Sequence, residues 1–437
     1  MKNKRVLIIT YYWPPSGGIG VIRCLKLVKY IRQFGWEPVV FTAENAHYPS
    51  IDHSNEGDIP KDVEVIKQKI IEPHSLYKFL TGKKQEANVN DVFYTKKEKS
   101  GIIHRFSIWV RSNFFIPDAR YLWIKPSLRK LQAYLKEHPV DAIISSAPPH
   151  TCTRIATLLK RKLGIPIILD FRDPWTQIDY FKQLQLTSGA LAKHQRMEQE
   201  AFDAADKILI VSPSWKKDLE SIGAKNVEFH YNGYDSDDFK NLKYELSTTK
   251  FTLVHIGIMG FDRNPKVFFE VIKELCHESN EYQNDFELLL VGQVDYSVKE
   301  TYTNLGIEKN VTFAGSVPRN KALQYIAQSP VLLLLLNQQE NAKGRIPGKV
   351  FEYLAVRRTI LCLGPENSDV AKILSSSRSG VNIEYDNHNA LKQALKDLYD
   401  QWKKGELTEP IDSDIEKYSH QHLARKMAGY LNEITHS

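Results

Sequence analysis

The sequence predicts an α/β fold built from two doubly wound parallel sheets. Short apolar runs alternate with segments of helical periodicity, which is the pattern of a parallel sheet covered by helices on both faces. This pattern occurs twice, over residues 1–240 and again over 250–412, and the turn-rich segment NGYDSDDFKN at 232–241 separates the two occurrences. A length of 437 residues also favours two domains over one.

The first half opens with a βαβ unit whose connecting turn contains two adjacent glycines. The predicted elements are a strand at 5–10, a helix at 19–34 capped by Gly35, and a strand at 37–42. In the turn YYWPPSGGIG at 11–20, Gly17 and Gly18 allow a ligand to approach the backbone closely. The glycines do not follow the G-x-G-x-x-G spacing of dinucleotide-binding folds, and a plain turn is the alternative interpretation.

The same alternation continues along both halves. In the first half we predict strands at 63–67, 141–145, 165–170, 207–211 and 227–230, and helices at 102–115, 122–137, 151–163, 188–204 and 213–221, the last capped by Ser212. In the second half we predict strands at 251–257, 286–292, 311–315, 330–336 and 359–363, and helices at 265–277, 318–327, from 349, and at 421–434.

Composition is that of an ordinary globular protein in a reducing compartment. Hydrophobic residues make up 42% of the chain and charged residues 25%. The four cysteines lie far apart without CxxC or CxxH spacing, which argues against a structural zinc site and a disulfide framework. The apolar run after MKNKR is too short for a signal peptide, and no segment has the apolar length that spans a bilayer. We therefore expect a cytoplasmic protein.

Positive charge is concentrated in residues 61–130, which hold fifteen lysines and arginines against seven acidic residues. The formal net charge of the whole chain is +7, so the remainder is nearly neutral. Basic residues mixed with large apolar ones predict a face that meets an anionic membrane surface or a lipid-linked phosphate, on the inner face of the cell membrane. A solvated basic surface above buried aromatics is the alternative. No signature of nucleic-acid binding accompanies the charge. The large apolar residues of this region are Phe106, Ile108, Trp109, Val110, Phe114, Phe115 and Trp123.

The strongest local candidate for a binding site follows the apolar strand at 330–336. A polar loop leads to Pro347 and Gly348, which open a short helix. Ligands of open parallel sheets bind outside the carboxyl ends of the strands, and helix N-termini there favour anions. Lys349 suits a diphosphate and Glu352 suits ribose hydroxyls. The alternative is an ordinary amphipathic helix whose charged residues face water.

Two groups of polar side chains end predicted strands of the first half. His150 lies in the loop SSAPPHT, where its ring can hydrogen-bond a ligand; a helix-start histidine bonded to the backbone is the alternative. Asp170, Arg172 and Asp173 end the next strand, and Asp173 is the candidate to orient a hydroxyl. A salt bridge from Arg172 to either aspartate is the structural alternative.

Five motifs carry a family resemblance. They are VLIITYYWPPSGGIG at 6–20, LDFRDPW at 169–175, VSPSWKKDL at 211–219, NGYD at 232–235 and IPGKVFEYLA at 346–355. In this order the chain resembles the family 4 (group 1) glycosyltransferases of the GT-B fold, most like the bacterial branch that builds surface polysaccharides. The resemblance implies two Rossmann-like domains facing across a cleft, the first binding the acceptor and the second the nucleotide-sugar. It also implies that a last helix, about 419–437, packs back on the first domain.

The resemblance further implies a retaining transfer from a nucleotide-diphosphate sugar to a saccharide or lipid-linked acceptor, without a metal and without another cofactor. Arg263 and Lys266, in GIMGFDRNPK, match in kind the phosphate-binding basic pair of the family. Lys349 would add to this pair, with Arg345 a further cation. The glycines implied in donor binding are Gly17, Gly18 and Gly348.

Glu352 matches the second glutamate of the family's E-x7-E motif, which contacts ribose. The position of the first glutamate is occupied by Gly344, so Asn341, Lys343 or backbone groups would have to contact the donor sugar. His150 and Asp173 would act on the sugar or the acceptor from the first domain.

Two other functions fit parts of the pattern. A non-hydrolysing sugar-nucleotide 2-epimerase of the same fold would bind a similar donor, although the basic and aromatic region at 61–130 argues against it. A non-catalytic binding subunit would keep the fold, and Gly344 leaves that interpretation open. A hydride-transferring dehydrogenase is disfavoured, because the first βα turn lacks its glycine spacing.

Overall fold

A computed structural model describes residues 3–72, 102–407 and 414–436 and divides the chain into two compact units. Unit 1 contains the described residues up to 232 together with 420–436, and unit 2 contains those from 233 to 419. Residues 73–101, which include the lysine-rich part of the basic region, lie outside the described residues.

Unit 1 is built on a seven-stranded parallel sheet in the order β3-β2-β1-β4-β5-β6-β7. Every residue of β4, β5 and β6 is buried, as expected for strands covered by helices on both faces. Each predicted strand is present, with ends within two residues of the prediction. The strands are β1 (Lys4–Ile9), β2 (Trp36–Ala43), β3 (Glu64–Gln68), β4 (Ala142–Ala147), β5 (Ile167–Phe171), β6 (Lys207–Ile210) and β7 (Val227–Phe229).

The described helices of unit 1 also follow the predicted pattern. Gly35 adopts a left-handed conformation (φ 82°) after the first helix and its 3-10 extension, which confirms it as the cap. The Ser212 hydroxyl accepts a hydrogen bond from Trp215 N at 3.3 Å, which confirms the second predicted cap. The helices are α1 (Ile19–Tyr30), α2 (Ile102–Phe114), α3 (Ile124–Glu137), α4 (His150–Leu163), α5 (Ser188–Ala204), α6 (Pro213–Ser221) and the C-terminal α14 (His420–Thr435).

Helix α14 belongs to unit 1 although unit 2 precedes it in the chain. Its apolar side chains, among them Met427 and Leu431, join the core cluster formed with β1 and α1. Trp36 Nε1 donates to Asn432 Oδ1 at 3.2 Å, and Lys4 Nζ donates to Thr435 Oγ1 at 3.1 Å. The last helix therefore completes one face of the first sheet.

Unit 2 is built on a six-stranded parallel sheet in the order β10-β9-β8-β11-β12-β13. The strands are β8 (Phe251–Ile256), β9 (Phe286–Val291), β10 (Val311–Gly315), β11 (Val331–Leu335), β12 (Thr359–Leu363) and β13 (Gly380–Ile383). The helices are α7 (Lys266–Glu278), α8 (Asn280–Asp285), α9 (Tyr296–Leu305), α10 (Arg319–Gln328), α11 (Lys349–Ala355), α12 (Asp369–Ser377) and α13 (His388–Lys403).

Several elements of unit 2 were not predicted, and two of them, α9 and β13, have a weak apolar signal. Helix α9 has one fully buried residue, Val298, and β13 is a half-exposed edge strand. The predicted strands of this half are all present. Two doubly wound parallel sheets confirm the predicted fold class.

No helix within the described parts of the chain combines the length and apolar character needed to cross a bilayer. The four cysteines are free thiols and all are buried. Two of them, Cys152 and Cys362, have thiol pKa values raised by burial, so they behave as small apolar side chains.

Candidate functional site

Lys349 begins α11 and reaches back across the carboxyl end of β8. Its Nζ donates to the carbonyl of Ile256, the last residue of that strand, at 2.7 Å. Burial, together with the positive charge of Arg263, lowers the pKa of Lys349 to about 7, while Glu352 acts in the opposite direction. Among the described residues Lys349 forms no ion pair. An anion that binds here would therefore favour the protonated, positively charged form of Lys349.

Two glycines make room for this lysine. A Cβ on Gly257, whose φ is +105°, would lie 3.3 Å from Lys349 Nζ. A Cβ on Gly292, whose φ is +123°, would clash with the carbonyl of Gly257. Both positions require a conformation and a closeness of backbone that favour glycine.

Arg263 lies in a 3-10 turn, Phe261–Arg263, between β8 and α7. Its Nε is 3.5 Å from Asp262 Oδ2, and its charge contributes to the lowered pKa of Lys349. The structure thus brings Arg263 and Lys349 within electrostatic reach of each other. Lys266, the first residue of α7, is exposed, and its side chain has no hydrogen bond or ion pair with a described residue.

The loop before α11 holds the other predicted donor residues. Gly348 is the N-cap, and its carbonyl accepts a bond from Phe351 N at 3.1 Å. Arg345 is half-buried and follows a 3-10 turn, Glu340–Gly344, that the sequence did not predict. Because α11 has only seven residues, its dipole is small.

Glu352 is not an isolated carboxylate. Its Oε1 accepts a bond from Nη2 of Arg319 at 2.7 Å, and Nη1 of the same guanidinium donates to Asp238 Oδ2 at 2.7 Å. Arg319 begins α10, thirty-three residues before Glu352, so no local spacing in the sequence could indicate the pair.

The neighbouring acidic residues have structural roles within unit 2. Asp235 Oδ1 caps the 3-10 turn Ser236–Phe239 by accepting from Asp237 N at 3.1 Å. Asp237 pairs with Lys240 at 2.7 Å.

In unit 1, His150 is the first residue of α4 and is buried. Its ring stacks on Trp175 with centroids 4.4 Å apart and planes 8° apart. Burial, with the charges of His194 and Arg172, lowers the pKa of His150 to about 3, so the ring is neutral at pH 7. Its Nδ1 is buried without a hydrogen-bond partner among the described residues, so the predicted alternative of a backbone bond does not hold at that atom.

The structural alternative for Arg172, a salt bridge to Asp170 or to Asp173, is not found among the described residues. Asp170 instead receives two bonds from Arg23, at 2.7 and 2.6 Å, and both side chains are buried. Arg23 also donates to the carbonyl of Tyr231 at 2.6 Å. Sequence reasoning missed this pair because its members are 147 residues apart.

Arg172 is bound to the backbone rather than to an acid. It donates through Nε to Ala147 O at 3.1 Å and through Nη2 to Pro148 O. Asp173 is half-buried, and it has no hydrogen bond or ion pair with the residues that the structure describes. Of the three polar residues that end β5, Asp173 is therefore the one open to a ligand.

The glycines of the first turn are fixed by their surroundings in unit 1. Gly17 N donates to Ser50 O at 2.9 Å, and a Cβ there would lie 2.6 Å from Ser50 Oγ. Gly18, the N-cap of α1, has φ +88°. A Cβ on Gly20 would displace the guanidinium of Arg172 from its present position.

A second buried cluster of unit 1 was not predicted. Glu72 Oε1 accepts a bond from the Tyr11 hydroxyl at 2.9 Å and lies 3.1 Å from Arg120 Nε. The guanidinium also lies 4.7 Å from the centroid of the Tyr11 ring. The cluster ties the loop after β1 to the segment before α3.

Comparisons with known proteins agree with the fold. Three similar solved structures are a glycosyltransferase from Rickettsia africae, HepE from Anabaena in complex with UDP, and WaaG, a glycosyltransferase involved in lipopolysaccharide biosynthesis. Their TM-scores are 0.63, 0.60 and 0.57, at 15%, 12% and 15% identity. The matches cover 99%, 98% and 98% of this chain, and 99%, 100% and 99% of those chains. At such identities the likeness is one of fold, and it confirms GT-B.

Family models extend the comparison to sequence. The model described as Glycosyltransferase Family 4 matches residues 83–238, and that described as Glycosyl transferases group 1 matches residues 250–401. No curated protein sequence matches the chain. The two models lie in the expected order and together cover most of the protein. The chain belongs to the family 4 (group 1) glycosyltransferases.

Proposed function

We propose that the protein transfers a sugar from a nucleotide-diphosphate sugar to a hydroxyl of a saccharide or lipid-linked acceptor, with retention at the anomeric carbon, in cell-surface glycan synthesis. The observation that carries the proposal is that Lys349 is held at the carboxyl end of β8, where the positive charge of Arg263 helps to lower its pKa. A buried lysine whose pKa is lowered by a neighbouring cation is a group that a bound anion stabilises. A diphosphate is the anion that such a donor brings. HepE, which is similar in fold, was solved with UDP.

The charges of the reaction suit these residues. The bond from the anomeric carbon to the β-phosphate oxygen breaks, and its electron pair stays on that oxygen. The acceptor oxygen bonds to the same carbon, and its proton passes to the leaving phosphate. Lys349 and Arg263 would stabilise the growing negative charge without a metal. Gly17, Gly18, Lys266, Arg345 and Gly348 remain part of the proposed donor site.

On the acceptor side we assign a role to two residues of unit 1. Asp173 presents a half-buried carboxylate that can accept a hydrogen bond from the acceptor hydroxyl. His150 is neutral, and its Nδ1 has no partner among the described residues, so it can bond a sugar hydroxyl.

The proposal is tested by thermal melting of the full chain with UDP-, GDP-, ADP- and TDP-sugars, followed by transfer assays with the sugar that binds. A ligand at about 100 times its Kd stabilises the native state by about 2.7 kcal/mol. Arg263→Ala should lower kcat by about 10²- to 10³-fold and weaken nucleotide binding much less, because the phosphate charge grows in the transition state.

The control for Arg263→Ala is Lys273→Ala, which removes an exposed cation from α7 and should leave kcat unchanged. EDTA should not reduce transfer if the two cations act without a metal. Equal small effects of Arg263→Ala on kcat and on binding would contradict the assignment. Conversion of a UDP-sugar to its 2-epimer without acceptor would show an epimerase instead.

We further propose that unit 1 contacts an anionic membrane surface. Phe114, at the end of α2, is 64% exposed, and Tyr121 and Leu122, seven and eight residues later, are exposed as well. Lys193 Nζ lies 5.6 Å from the centroid of the Tyr121 ring. Asn113 accepts a bond at 2.7 Å from the backbone just before α5, which holds α2 and α5 together. Lys125, at the start of α3, and Leu191 and Arg196, on α5, are exposed as well.

This location is tested with vesicles containing phosphatidylglycerol at low salt. The double variant Phe114→Glu/Leu122→Glu should lose most binding, and wild-type binding should fall as salt rises. Tyr296→Glu, which alters an equally exposed aromatic residue of unit 2, is the matched control. Binding unaffected by the double variant would contradict the proposal. The lysines at 83–99, which the sequence also indicates, lie outside the described residues.

A further inference from the structure

Arg319 joins two carboxylates that come from distant parts of unit 2. Its Nη2 donates to Glu352 Oε1 and its Nη1 to Asp238 Oδ2, each at 2.7 Å. The side chains of all three residues are three-quarters buried or more. A guanidinium is planar and permanently charged, so this fork fixes the position of each carboxylate oxygen that it contacts.

The arrangement matters because Lys349 and Glu352 are three residues apart on α11. Opposite charges at this helical spacing normally attract and pair with each other. In this protein they do not pair, since Lys349 Nζ bonds the carbonyl of Ile256 and Glu352 bonds Arg319. Because Arg319 binds Glu352, this carboxylate does not pair with the Lys349 ammonium on the same helix.

The second oxygen of Glu352 remains open. The side chain is 24% exposed, and Oε2 is neither buried nor hydrogen-bonded to any residue that the structure describes. One oxygen is thus anchored while the other can accept bonds. Because the carboxylate of Glu352 is already oriented, binding of a ligand costs less side-chain entropy of Glu352.

Asp238 adds a second negative charge to the same guanidinium. With one carboxylate, Arg319 would neutralise Glu352 and weaken it as an acceptor. With two carboxylates the guanidinium charge is shared between Glu352 and Asp238, so Glu352 Oε2 remains a strong acceptor for neutral hydroxyls.

We propose that Arg319 is a positioning residue for the donor ribose, which holds Glu352 away from Lys349 so that Glu352 binds the ribose hydroxyls while Lys349 binds the diphosphate. The inference rests on the proposed function, because it assigns the ribose part of the same donor site. It predicts that Arg319 governs discrimination between ribose and deoxyribose without touching the nucleotide.

The test is a calorimetric titration of the full chain with UDP, GDP and ADP, and with the 2′-deoxy and 3′-deoxy form of each. For the diphosphate that binds, the wild type should prefer the ribose form by about 10- to 100-fold, as expected for a hydrogen bond to a charged group. In Arg319→Ala this ratio should fall to about 3-fold or less. Arg319→Lys, which keeps the charge but loses the fork, should recover part of the ratio.

Lys392→Ala is the matched control. Lys392 also joins two carboxylates in unit 2, those of Glu274 and Glu278, at 2.9 and 2.6 Å. Its removal should leave the ratio at the wild-type value, which separates positioning from general stability. If Arg319→Ala does not fold, Arg319→Gln, which keeps a side chain of similar length without charge, takes its place and should also lower the ratio.

The outcomes are distinct. A wild type that prefers the ribose form while Arg319→Ala or Arg319→Gln keeps the full ratio would overturn the positioning role alone. A wild type that binds a diphosphate but does not distinguish deoxyribose would overturn it as well, and would leave the diphosphate site intact. Failure of every diphosphate to bind would remove the proposed function and this inference together.

Discussion

Cations near the carboxyl ends of the two sheets have different partners in the two units. In unit 1, Arg23 is buried in a bidentate ion pair with Asp170. In unit 2, Lys349 bonds a carbonyl and forms no ion pair among the described residues, while Arg319 holds the nearby carboxylate elsewhere. The same sheet edge therefore carries compensated charge in one unit and an open charge in the other.

The difference shows what each charge is for. A buried ion pair between distant segments fixes the loops that it joins, and removing one partner leaves a buried charge without compensation. A lysine placed near another cation has a pKa close to neutrality and weakens rather than strengthens the native state. The presence of such a lysine is therefore explained by a ligand that it binds, and not by a contribution to stability. Four changes test this comparison, from the largest expected effect to the smallest.

Arg23→Met should lower the free energy of unfolding by about 3–5 kcal/mol, because it leaves Asp170 charged and buried. Urea unfolding followed by tryptophan fluorescence measures it, since every tryptophan except Trp402 lies in unit 1. The double variant Arg23→Met/Asp170→Leu should recover most of the loss. A cost no larger than that of Lys349→Met would remove the contrast between the units.

Lys349→Met should lower kcat/KM for transfer by about 10²- to 10³-fold, since it removes a cation from the developing phosphate charge. The stability should not fall by more than about 1 kcal/mol, because the lost ammonium had no ion pair among the described residues. Steady-state kinetics measures the loss of kcat/KM, and urea unfolding measures the change in stability. A large loss of stability with little loss of activity would reverse our assignment of this residue.

His150 should make unit 1 sensitive to acid. Burial lowers the pKa of His150 to about 3, below the value near 6.5 in the unfolded chain, so unfolding takes up a proton as the pH falls below 6.5. At pH 5 this one group should remove about 2 kcal/mol of stability that is fully present above pH 6.5.

The measurement is thermal or urea unfolding of wild type and His150→Gln at pH 7.5, 6 and 5. The variant should show a shallower loss of stability with acid, by about 1.4 kcal/mol per pH unit. His277→Gln, at an exposed histidine of unit 2, is the control and should change the slope little. Identical slopes for wild type and His150→Gln would argue against a buried neutral ring.

Donor binding should depend on pH through Lys349. The pKa of this lysine is lowered to about 7 in the free protein, and a bound diphosphate raises it, so binding takes up a proton. Affinity for the nucleoside diphosphate should therefore fall as pH rises from 7 to 9, by at most about tenfold per unit. Titration calorimetry in buffers of different ionisation enthalpy counts the proton. Lys349→Arg, whose side chain does not titrate, should bind with no such dependence.

The elements and the fold class were predictable because they depend on local pattern. The continuous apolar run of β11 and the glycine after the first helix were identified from the chain alone, and the structure confirms both. Elements with a weak apolar signal, such as α9 and β13, were missed. In the candidate site, Lys349 and Glu352 were found because they share one turn of one helix.

By itself, the sequence determined two parallel α/β units, most of their elements, and the individual residues that bear charge near strand ends. The tertiary structure decided which of those charges are compensated. Arg23 meets Asp170 across 147 residues and Arg319 meets Glu352 across 33, and no local spacing specifies such pairs. The physical reason is that periodicity reports which face of an element is buried, whereas a charge is neutralised by whatever the folded chain brings within a few ångströms of it.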